Sequence, residues 1–200
     1  MTSTRSAPTA RPADGVGGAQ ADLSDRDASL VVRAAAPDDV PLLLELFWEL
    51  AEYEHLEDAM RATDEGLRAA LFGERPAAQA LIAERGSQVA GYAVFFPTFS
   101  SFLTAPGVWL EDLFVRPPHR GAGVGKALLA AVAAHTRAVG GQRLEWAALD
   151  WNELALGFYR RIGAQTMGEW ITHRLVGEEL AQLAGEGADS ASAGAGSLLA

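Results

Sequence analysis

Between residues 29 and 184, short runs of apolar residues alternate with longer segments in which apolar residues recur every three or four positions. Short apolar runs are typical of buried strands, and the three- to four-residue spacing predicts amphipathic helices. The pattern therefore predicts the order β, α, α, β, β, β, α, β, α, β, followed by a final helical turn or two. The expected spans are 30–33, 39–54, 63–72, 80–84, 89–96, 109–115, 123–139, 143–150, 152–162, 169–175 and 178–184.

Capping and turn residues mark the ends of several predicted elements. The segment Pro37-Asp38-Asp39 is expected to supply the N-cap of the first helix, and Thr63 the N-cap of the second. Glycines are expected to end the later helices, because glycine adopts the left-handed conformation that follows a helix. The remaining predicted boundaries are Gly73, Gly140-Gly141 and Gly163 as helix ends, Asn152 as a helix cap, Arg85-Gly86-Ser87 as a hairpin turn and 97–107 as a loop.

The apolar stripes of the helices predict which side chains enter the core. The first helix is expected to bury Val40, Leu43, Leu44, Phe47, Leu50 and Ala51, and the helix after residue 123 is expected to bury Val124, Leu128, Ala131, Val132 and His135. Strands that first follow one another and later alternate with helices predict a mostly antiparallel sheet whose last strands pair in parallel. The predicted fold class is α/β, with one mixed sheet flanked by helices in a single domain.

Both ends of the 200-residue chain have low-complexity sequence. Residues 1–28 and 185–200 are therefore predicted to be disordered tails around a folded domain at 29–184. The chain has no cysteine, which excludes disulfides and thiolate chemistry. Its apolar runs fall short of the roughly 20 residues that span a membrane, and the first residues lack the apolar segment of a secretory signal. We expect a cytoplasmic protein.

The formal net charge of −10 argues against a nucleic-acid partner and favours cationic small molecules. Residues 34–60 contain no lysine or arginine and eight carboxylates: Asp38, Asp39, Glu45, Glu49, Glu52, Glu54, Glu57 and Asp58. If the end of the first helix borders a pocket, its field favours a polycation; a solvated helix face is the equally weighted alternative. The histidines show no metal-ligand spacing, so no metal is expected.

The centre of the chain, 109–129, passes from a strand through two prolines and a glycine-rich loop into a helix. Such a loop is an anion cradle, because exposed backbone N–H groups converge at a helix N-terminus. The Walker A and dinucleotide patterns both fail here. The spacing Arg120-x-x-Gly123-x-Gly125 instead resembles the pyrophosphate loop of the GCN5-related N-acetyltransferases (GNAT family), which bind acetyl-coenzyme A.

Acetyl transfer to an amine requires removal of an amine proton and protonation of the leaving thiolate. Glu111 is the candidate base, acting through a water relay because an amine pKa near 10 lies far above a carboxylate pKa near 4.3. Asp112 and Glu54 are the alternatives. Regular strand geometry would turn Glu111 and Asp112 to opposite faces unless a bulge intervenes. Tyr159 is the candidate acid, since a phenol stays protonated at neutral pH.

Further segments resemble the diamine (spermidine/spermine) N-acetyltransferases within the GNAT family: Tyr53-Glu54, 110–115, 120–125, 151–153 and 158–164. This resemblance implies that amine substrate is bound by Tyr53, Glu54, Glu111, Asp112, Glu145, Trp146 and Ala147. It implies that acetyl-CoA is bound by Leu113, Phe114, Val115, Arg120, Gly121, Ala122, Gly123, Val124, Gly125, Lys126, Asn152 and Tyr159. Ala155 departs from the family, which often has a hydroxyl residue between the Asn and the Tyr.

The leading hypothesis is therefore an acetyl-CoA-dependent N-acetyltransferase acting on a small polyamine or diamine. Two alternatives stay open: the same chemistry on a lysine-like amino acid or another amine, and a non-catalytic acyl-CoA-binding sensor. The resemblance also implies a homodimer, and the apolar residues Phe99, Phe102, Leu103 and Trp170 are candidates to cover a partner.

Overall fold

The computed structural model describes residues 29–192, with side chains described through residue 185. The predicted tail at 1–28 lies outside the described residues, as does the part of the predicted tail at 185–200 that follows residue 192. The described chain falls into two compact units, the first ending at Ala147 and the second beginning at Ala148.

The first unit contains a five-stranded mixed sheet whose strands follow chain order. Neighbouring strands pair antiparallel up to β4, and β5 pairs parallel to β4 after the chain has crossed over through α3. This arrangement confirms the predicted α/β class. The elements are β1 (Leu30–Ala34), α1 (Val40–Glu54), α2 (Asp64–Phe72), β2 (Gln79–Arg85), β3 (Gln88–Ser100), β4 (Ala105–Val115), α3 (Val124–Ala138) and β5 (Leu144–Glu145).

Strands β3 and β4 are longer than predicted, because most of the expected loop at 97–107 is paired. Pro97 lies opposite Val108 and Phe99 opposite Pro106, and the ladder continues to Ser100 and Ala105. Two prolines in this stretch favoured a loop in the sequence, since proline supplies no N–H to a ladder. Cross-strand pairing of the remaining residues outweighs that local preference, and only 101–104 form the turn.

Two predicted strands are wrong in the described structure. The strand expected at 143–150 is reduced to Leu144–Glu145, because its pairing with β4 ends at Trp109. The strand expected at 169–175 is absent, and those residues are exposed. A strand is stable only when a neighbour satisfies its backbone groups, and alternating apolar residues do not supply that neighbour.

The core lies on both faces of the sheet. On one face α1 and α2 pack against β2, β3 and β4, and on the other α3 packs near Phe95, whose ring centroid lies 5.0 Å from that of His135. The stripe of α1 is largely confirmed: Val40, Leu43 and Ala51 are buried, Leu44, Phe47 and Leu50 are partly buried, and Leu46 was missed. In α3 the buried residues are Val124, Leu128, Leu129, Val132 and Thr136, while Ala131 and His135 are partly buried.

Two predicted helix caps have different outcomes. The Thr63 hydroxyl accepts a hydrogen bond from the N–H of Gly66 at 3.1 Å, which confirms the cap of α2. Asp39 makes no side-chain cap to α1; its carboxylate accepts from the N–H of Ala36 at 2.7 Å and pairs with Arg33 at 2.6 Å. An arginine within reach outcompetes the helix amides, because a charged pair is stronger than a neutral cap.

The second unit contains α4 (Glu153–Arg161) and α5 (Gly177–Ser192). The Asn152 side chain caps α4 as predicted, accepting from the N–H of Ala155 at 3.1 Å. Gly163 follows the helix with φ of 84°, the left-handed conformation predicted for a terminating glycine. Helix α5 continues beyond the predicted 178–184 to Ser192, so the prediction of a disordered tail is wrong for 185–192. None of the helices in residues 29–192 has the length and apolar character needed to cross a membrane.

Candidate active site

A β-bulge interrupts β4 at Glu111. Leu110 lies opposite Phe95 and Asp112 lies opposite Val94, so Glu111 is an extra residue with no partner in the register of β3. The strict alternation considered for Glu111 and Asp112 therefore does not apply. Because directly paired residues share a face, Leu110 joins Phe95 on the α3 side, and Asp112 joins Val94 on the side of α1.

Three carboxylates interact around this bulge. Asp112 is partly buried, and its pKa is raised to about 6: burial raises it most, a hydrogen bond from Tyr92 lowers it, and the nearby charges of Glu111 and Glu54 raise it. Glu54, in the last turn of α1, is also partly buried, and desolvation raises its pKa. Glu111 is exposed, and its Oε2 accepts a hydrogen bond from Trp109 Nε1 at 2.9 Å. Several carboxylates close together, two of them partly buried, favour the binding of a cationic ligand.

Tyr53, the neighbour of Glu54 in α1, lies beside the glycine-rich loop. The Arg120 guanidinium carbon is 4.6 Å from the centroid of the Tyr53 ring and 5.9 Å from that of Phe114. Arg120 Nε also donates to the backbone oxygen of Val115 at 2.9 Å. Through these contacts Arg120, at the start of the loop, packs against the end of α1 and bonds the end of β4.

The glycine-rich loop has open space beside two of its glycines. Gly121 and Gly123 have φ of 73° and 84°, and a Cβ built on either would meet no atom within 4 Å. The first bond of α3 runs from the N–H of Ala127 to the oxygen of Gly123, so the amides of the intervening residues have no acceptor within the helix. This geometry fits a diphosphate at the N-terminus of a 15-residue helix.

A buried arginine donates a hydrogen bond to the backbone of the glycine-rich loop. Arg85, at the end of β2, is 9% exposed, and its Nη2 donates to the backbone oxygen of Ala122 at 2.8 Å. Gly125 lies beside the end of β4: a Cβ at residue 125 would be 3.6 Å from Val115 Cγ2, an ordinary van der Waals distance. Lys126 is exposed in the first turn of α3, where its ammonium adds positive charge near the loop.

The outer edge of β4 is open beside the bulge. On that side β4 pairs with β5 through Val108 and Trp109 only, so within the described residues Leu113, Phe114 and Val115 have no strand beside them there. Backbone N–H and C=O groups along an open edge can bond an extended ligand that carries amide groups. The pantetheine arm of acetyl-CoA is such a ligand, so the predicted role of these three residues fits the geometry.

Comparison with known proteins identifies the family. Residues 40–164 match the family described as Acetyltransferase (GNAT) family. The chain belongs to the GNAT family. It is 35% identical over 170 residues to thialysine N-epsilon-acetyltransferase of Sus scrofa, a match covering 80% of this chain and 99% of the pig protein. It is 32% identical over 194 residues to L-ornithine N5-acetyltransferase NATA1 of Arabidopsis thaliana, covering 74% of this chain and 85% of that one.

Other GNAT relatives agree in sequence and in fold. The chain is 29% identical to human spermidine/spermine N(1)-acetyltransferase-like protein 1 over 165 residues, which cover 78% of this chain and 24% of that protein. An integron cassette protein from V. cholerae superposes with a TM-score of 0.66 at 28% identity, covering 78% of this chain and 98% of that one. This GNAT protein is therefore an acyltransferase, as predicted, and GNAT acetyltransferases use acetyl-CoA.

The predicted substrate segment, Glu145 to Ala147, lies at the end of the first unit, and its first residue is both strand-paired and in an ion pair. Glu145 lies opposite Trp109 in the β4–β5 pairing, and its carboxylate forms an ion pair with Arg143 Nε at 3.2 Å. Trp146 is partly buried and Ala147 is exposed. Glu145 thus lies two residues from the bulge in the register of β4, and the positive charge of Arg143 partly offsets its negative charge.

Two predicted GNAT site residues, Asn152 and Tyr159, belong to the second unit. Asn152 Oδ1 caps α4 through Ala155, the position at which the family often has a hydroxyl residue. Tyr159 lies in α4 beside Phe158, with ring centroids 5.3 Å apart, and both rings are partly buried. The family match at 40–164 includes both residues, and their roles stay predictions.

Sequence reasoning missed Tyr92 and its contact with Asp112. Tyr92 is fully buried on β3, and its hydroxyl donates to Asp112 Oδ2 at 3.2 Å. A tyrosine within an otherwise apolar strand was the available signal, because a buried hydroxyl needs a hydrogen-bond partner. The partner itself depends on the bulge, which the sequence did not reveal. Among the described side chains no group of three or more acidic or histidine residues is arranged to hold a metal ion.

Proposed function

We propose that this GNAT enzyme transfers the acetyl group of acetyl-CoA to a primary amine of a small polyamine or diamine. The observation that carries the proposal is the group of three carboxylates, Glu54, Glu111 and Asp112, around the bulge of β4. Three negative charges exceed what a single ammonium group neutralises, so a substrate with two or more ammonium groups is the best match. The net charge of −10 attracts such a substrate at longer range.

The residues proposed to hold acetyl-CoA are those with exposed backbone groups. Amides from Gly121 through Lys126 would bind the diphosphate, with Arg120 at the start of the loop. Leu113, Phe114 and Val115 would bind the pantetheine arm and the acetyl carbonyl along the open edge of β4, and Asn152 would contact the same arm. When bound, acetyl-CoA supplies a thioester as the acetyl donor. Holding amine and thioester together removes many kcal/mol from the barrier.

The proposed proton acceptor is Glu111. Its exposure gives water access to the carboxylate, which supports removal of the amine proton through a water relay. Asp112 is the alternative, because its pKa of about 6 lies closer to neutral pH and makes it a stronger base than an ordinary carboxylate. Tyr159 is the proposed acid, whose phenol O–H would protonate the departing thiolate sulfur.

A second candidate substrate is the terminal amine of a lysine-like amino acid. The relatives named for thialysine and ornithine favour it, since both names describe amines at the end of an aliphatic chain that also bears a carboxylate. The carboxylate distinguishes the two candidates physically. The negative charges of Glu54 and Asp112 repel an anionic group and favour an amine without one.

The test is turnover across a panel of amines, followed by release of the free thiol from acetyl-CoA. The panel contains spermidine, spermine, short diamines, ornithine, lysine and thialysine. We expect the highest kcat/KM with a polyamine or diamine. Highest kcat/KM with an amino acid would replace the proposal by the second candidate. Coenzyme binding without turnover on any amine would mean that the protein is an acyl-CoA sensor.

Tyr159→Phe separates chemistry from binding in this test. Loss of the phenolic proton should lower kcat by about 100-fold or more while the affinity for coenzyme A, measured by calorimetry, stays near the wild-type value. An unchanged kcat would remove Tyr159 from the proposed mechanism.

We also propose that the enzyme acts in the cytoplasm as a homodimer. The end of β3 and the turn that follows it support a protein partner, because Phe99 is 67% exposed and Phe102 is 94% exposed. Contiguous exposed apolar side chains often mark an interface. Sedimentation analysis of the full chain tests the dimer, and a monomer at all concentrations would overturn it.

A further inference from the structure

Tyr92 is held rigidly inside the first unit. Its side chain is 0% exposed, and its ring lies between Phe47 of α1 at 5.1 Å and Phe114 of β4 at 6.1 Å, measured between centroids. The hydroxyl at the end of this fixed ring donates to Asp112 Oδ2 at 3.2 Å. Close packing on both sides leaves the hydroxyl little freedom, so the position of its acceptor is fixed as well.

The bulge brings Asp112 to this hydroxyl. Phe95 pairs with Leu110, and continuing that register without interruption would put Asp112 opposite Ala93, on the face covered by α3. The extra residue Glu111 shifts the register, so that Asp112 pairs with Val94 and lies on the same face as Tyr92. The bulge therefore places the Asp112 carboxylate beside the buried Tyr92 hydroxyl. A strand without the bulge would place that carboxylate on the opposite face of the sheet.

We infer that Tyr92 is a positioning residue for amine recognition: its hydroxyl holds the Asp112 carboxylate, as a charged group, on the α1 side of the sheet near Glu54, where it receives an ammonium group of the substrate. This inference rests on the proposed function and deepens it. Tyr92, being fully buried, acts through Asp112 and has no contact with substrate.

The charges around Asp112 show why a donor is needed. Glu54 from α1 and Glu111 from β4 both disfavour the ionised form of Asp112, and burial disfavours it most. The hydrogen bond from Tyr92 acts in the opposite direction and lowers the pKa of Asp112. The nearest described cation in these contacts, Arg120, lies against the rings of Tyr53 and Phe114, with its guanidinium carbon 4.6 and 5.9 Å from their centroids. Burial, Asp112 and the glutamates at 49 and 54 raise the pKa of Tyr92 well above its usual value, so the hydroxyl stays a donor throughout the working pH range.

The experiment compares the full-length enzyme with Tyr92→Phe, which removes the hydroxyl and keeps the ring. Without the donor, Asp112 is protonated at higher pH, so the acid limb of kcat/KM for the amine moves to higher pH. For a rise of one pH unit, kcat/KM at pH 6.5 falls about threefold, and it recovers above pH 8. The affinity for coenzyme A stays unchanged, because phenylalanine keeps the ring that packs against Phe114 and the glycine-rich loop is not altered.

The control removes the titrating group. In the Asp112→Asn background, Tyr92→Phe should produce no further shift of the acid limb, whereas a general packing defect would act equally in both backgrounds. A Tyr92→Phe profile that superimposes on the wild-type profile overturns the inference. So does an equal shift in the Asp112→Asn background.

A direct titration of the carboxyl group gives a second test. The midpoint of the Asp112 carboxyl carbon, followed by NMR, should be higher in Tyr92→Phe than in the unsubstituted enzyme, because the donor that stabilises the ionised form is lost, and equal midpoints overturn the inference. Failure of the proposed function has a different signature: the wild type binds coenzyme A but turns over no amine. Normal turnover with an unshifted Tyr92→Phe profile removes only the inference about Tyr92.

Discussion

Two glycines at opposite ends of α3 allow the anion-binding role of the loop to be separated from its structural role. Gly123 precedes the helix with φ of 84°, and Gly140 follows it with φ of 77°. A Cβ at either position would meet no atom within 4 Å. Gly123→Ala and Gly140→Ala therefore impose a similar backbone strain on the same helix, and only the first lies in the proposed coenzyme site.

The expected loss of stability follows from the backbone alone. An alanine in the left-handed region costs about 1–2 kcal/mol, and the reduced freedom of the unfolded chain returns about 0.4–1 kcal/mol. Neither variant adds a steric clash, so each should lower the free energy of unfolding by about 1 kcal/mol. For a chain of this size the corresponding fall in Tm is roughly 2–4 °C.

The expected loss of coenzyme affinity differs between the two variants. A methyl group at residue 123 enters the open space of the loop and reorients the amides at the start of α3. Loss of one hydrogen bond to a charged phosphate costs about 1.5–3 kcal/mol, which raises the Kd for coenzyme A by roughly tenfold or more. Gly140→Ala should leave that Kd within about twofold of the wild-type value, since its site lies at the other end of the helix.

Calorimetric titration with coenzyme A and thermal unfolding, both on the full chain, provide the two measurements. We expect matched falls in Tm and a weakened Kd in Gly123→Ala alone. Equal Kd values in all three proteins would refute the assignment of the loop as the diphosphate site. Equal weakening in both variants would show that the loop responds to helix stability and that its amides have no special role.

The remaining predictions concern the carboxylates of the bulge. Glu111→Gln should lower kcat by about 100-fold or more and change the pH–rate profile, because proton removal would then rest on bulk water; an unchanged profile would transfer the role of base to Asp112 or Glu54. Asp112→Asn should alter the pH dependence of stability. Because the pKa of Asp112 is raised from 3.8 to about 6 in the folded protein, the folded state binds more protons than the unfolded state between these values. The stability that this carboxyl contributes is present below about pH 4 and is lost as the pH rises through 6. Chemical unfolding at pH 4.5 and 7.5 should therefore show a smaller loss of stability in Asp112→Asn than in the wild type, and equal losses would contradict the raised pKa.

The glycine-rich loop shows how far local sequence can predict a site. The strand before it, the glycines with positive φ and the helix after it are each encoded by neighbouring residues, so the strand, loop and helix around 120–126 were predicted correctly, and the binding of an anion there stays a prediction. Helix caps at Thr63 and Asn152 are local in the same way and were also confirmed. The predicted segment 37–39 does supply the N-cap residue of α1, Asp39, but its carboxylate bonds Arg33, on a different element, and makes no hydrogen bond to the helix amides.

Strand lengths depended on partners that the sequence does not identify. The stretch 97–107 contains prolines that favour a loop, yet pairing between β3 and β4 makes most of it strand. The reverse holds at 143–150 and 169–175, whose residues favour a strand. In the described structure the first segment pairs with a neighbouring strand only at 144–145, and the second forms no strand. A strand is stabilised by hydrogen bonds to a neighbour, and that neighbour is set by the whole sheet.

The sequence by itself determined the elements whose stability is local, the class of fold, and the positions of the glycine-rich loop and of the acidic residues proposed to meet a cationic substrate. The tertiary structure decided how those acidic residues act. A one-residue bulge at Glu111 turns Asp112 toward Tyr92 and brings its charge near that of Glu54. The reason is physical: a side chain's face and its pKa depend on strand register and burial, and both arise only when distant segments pack together.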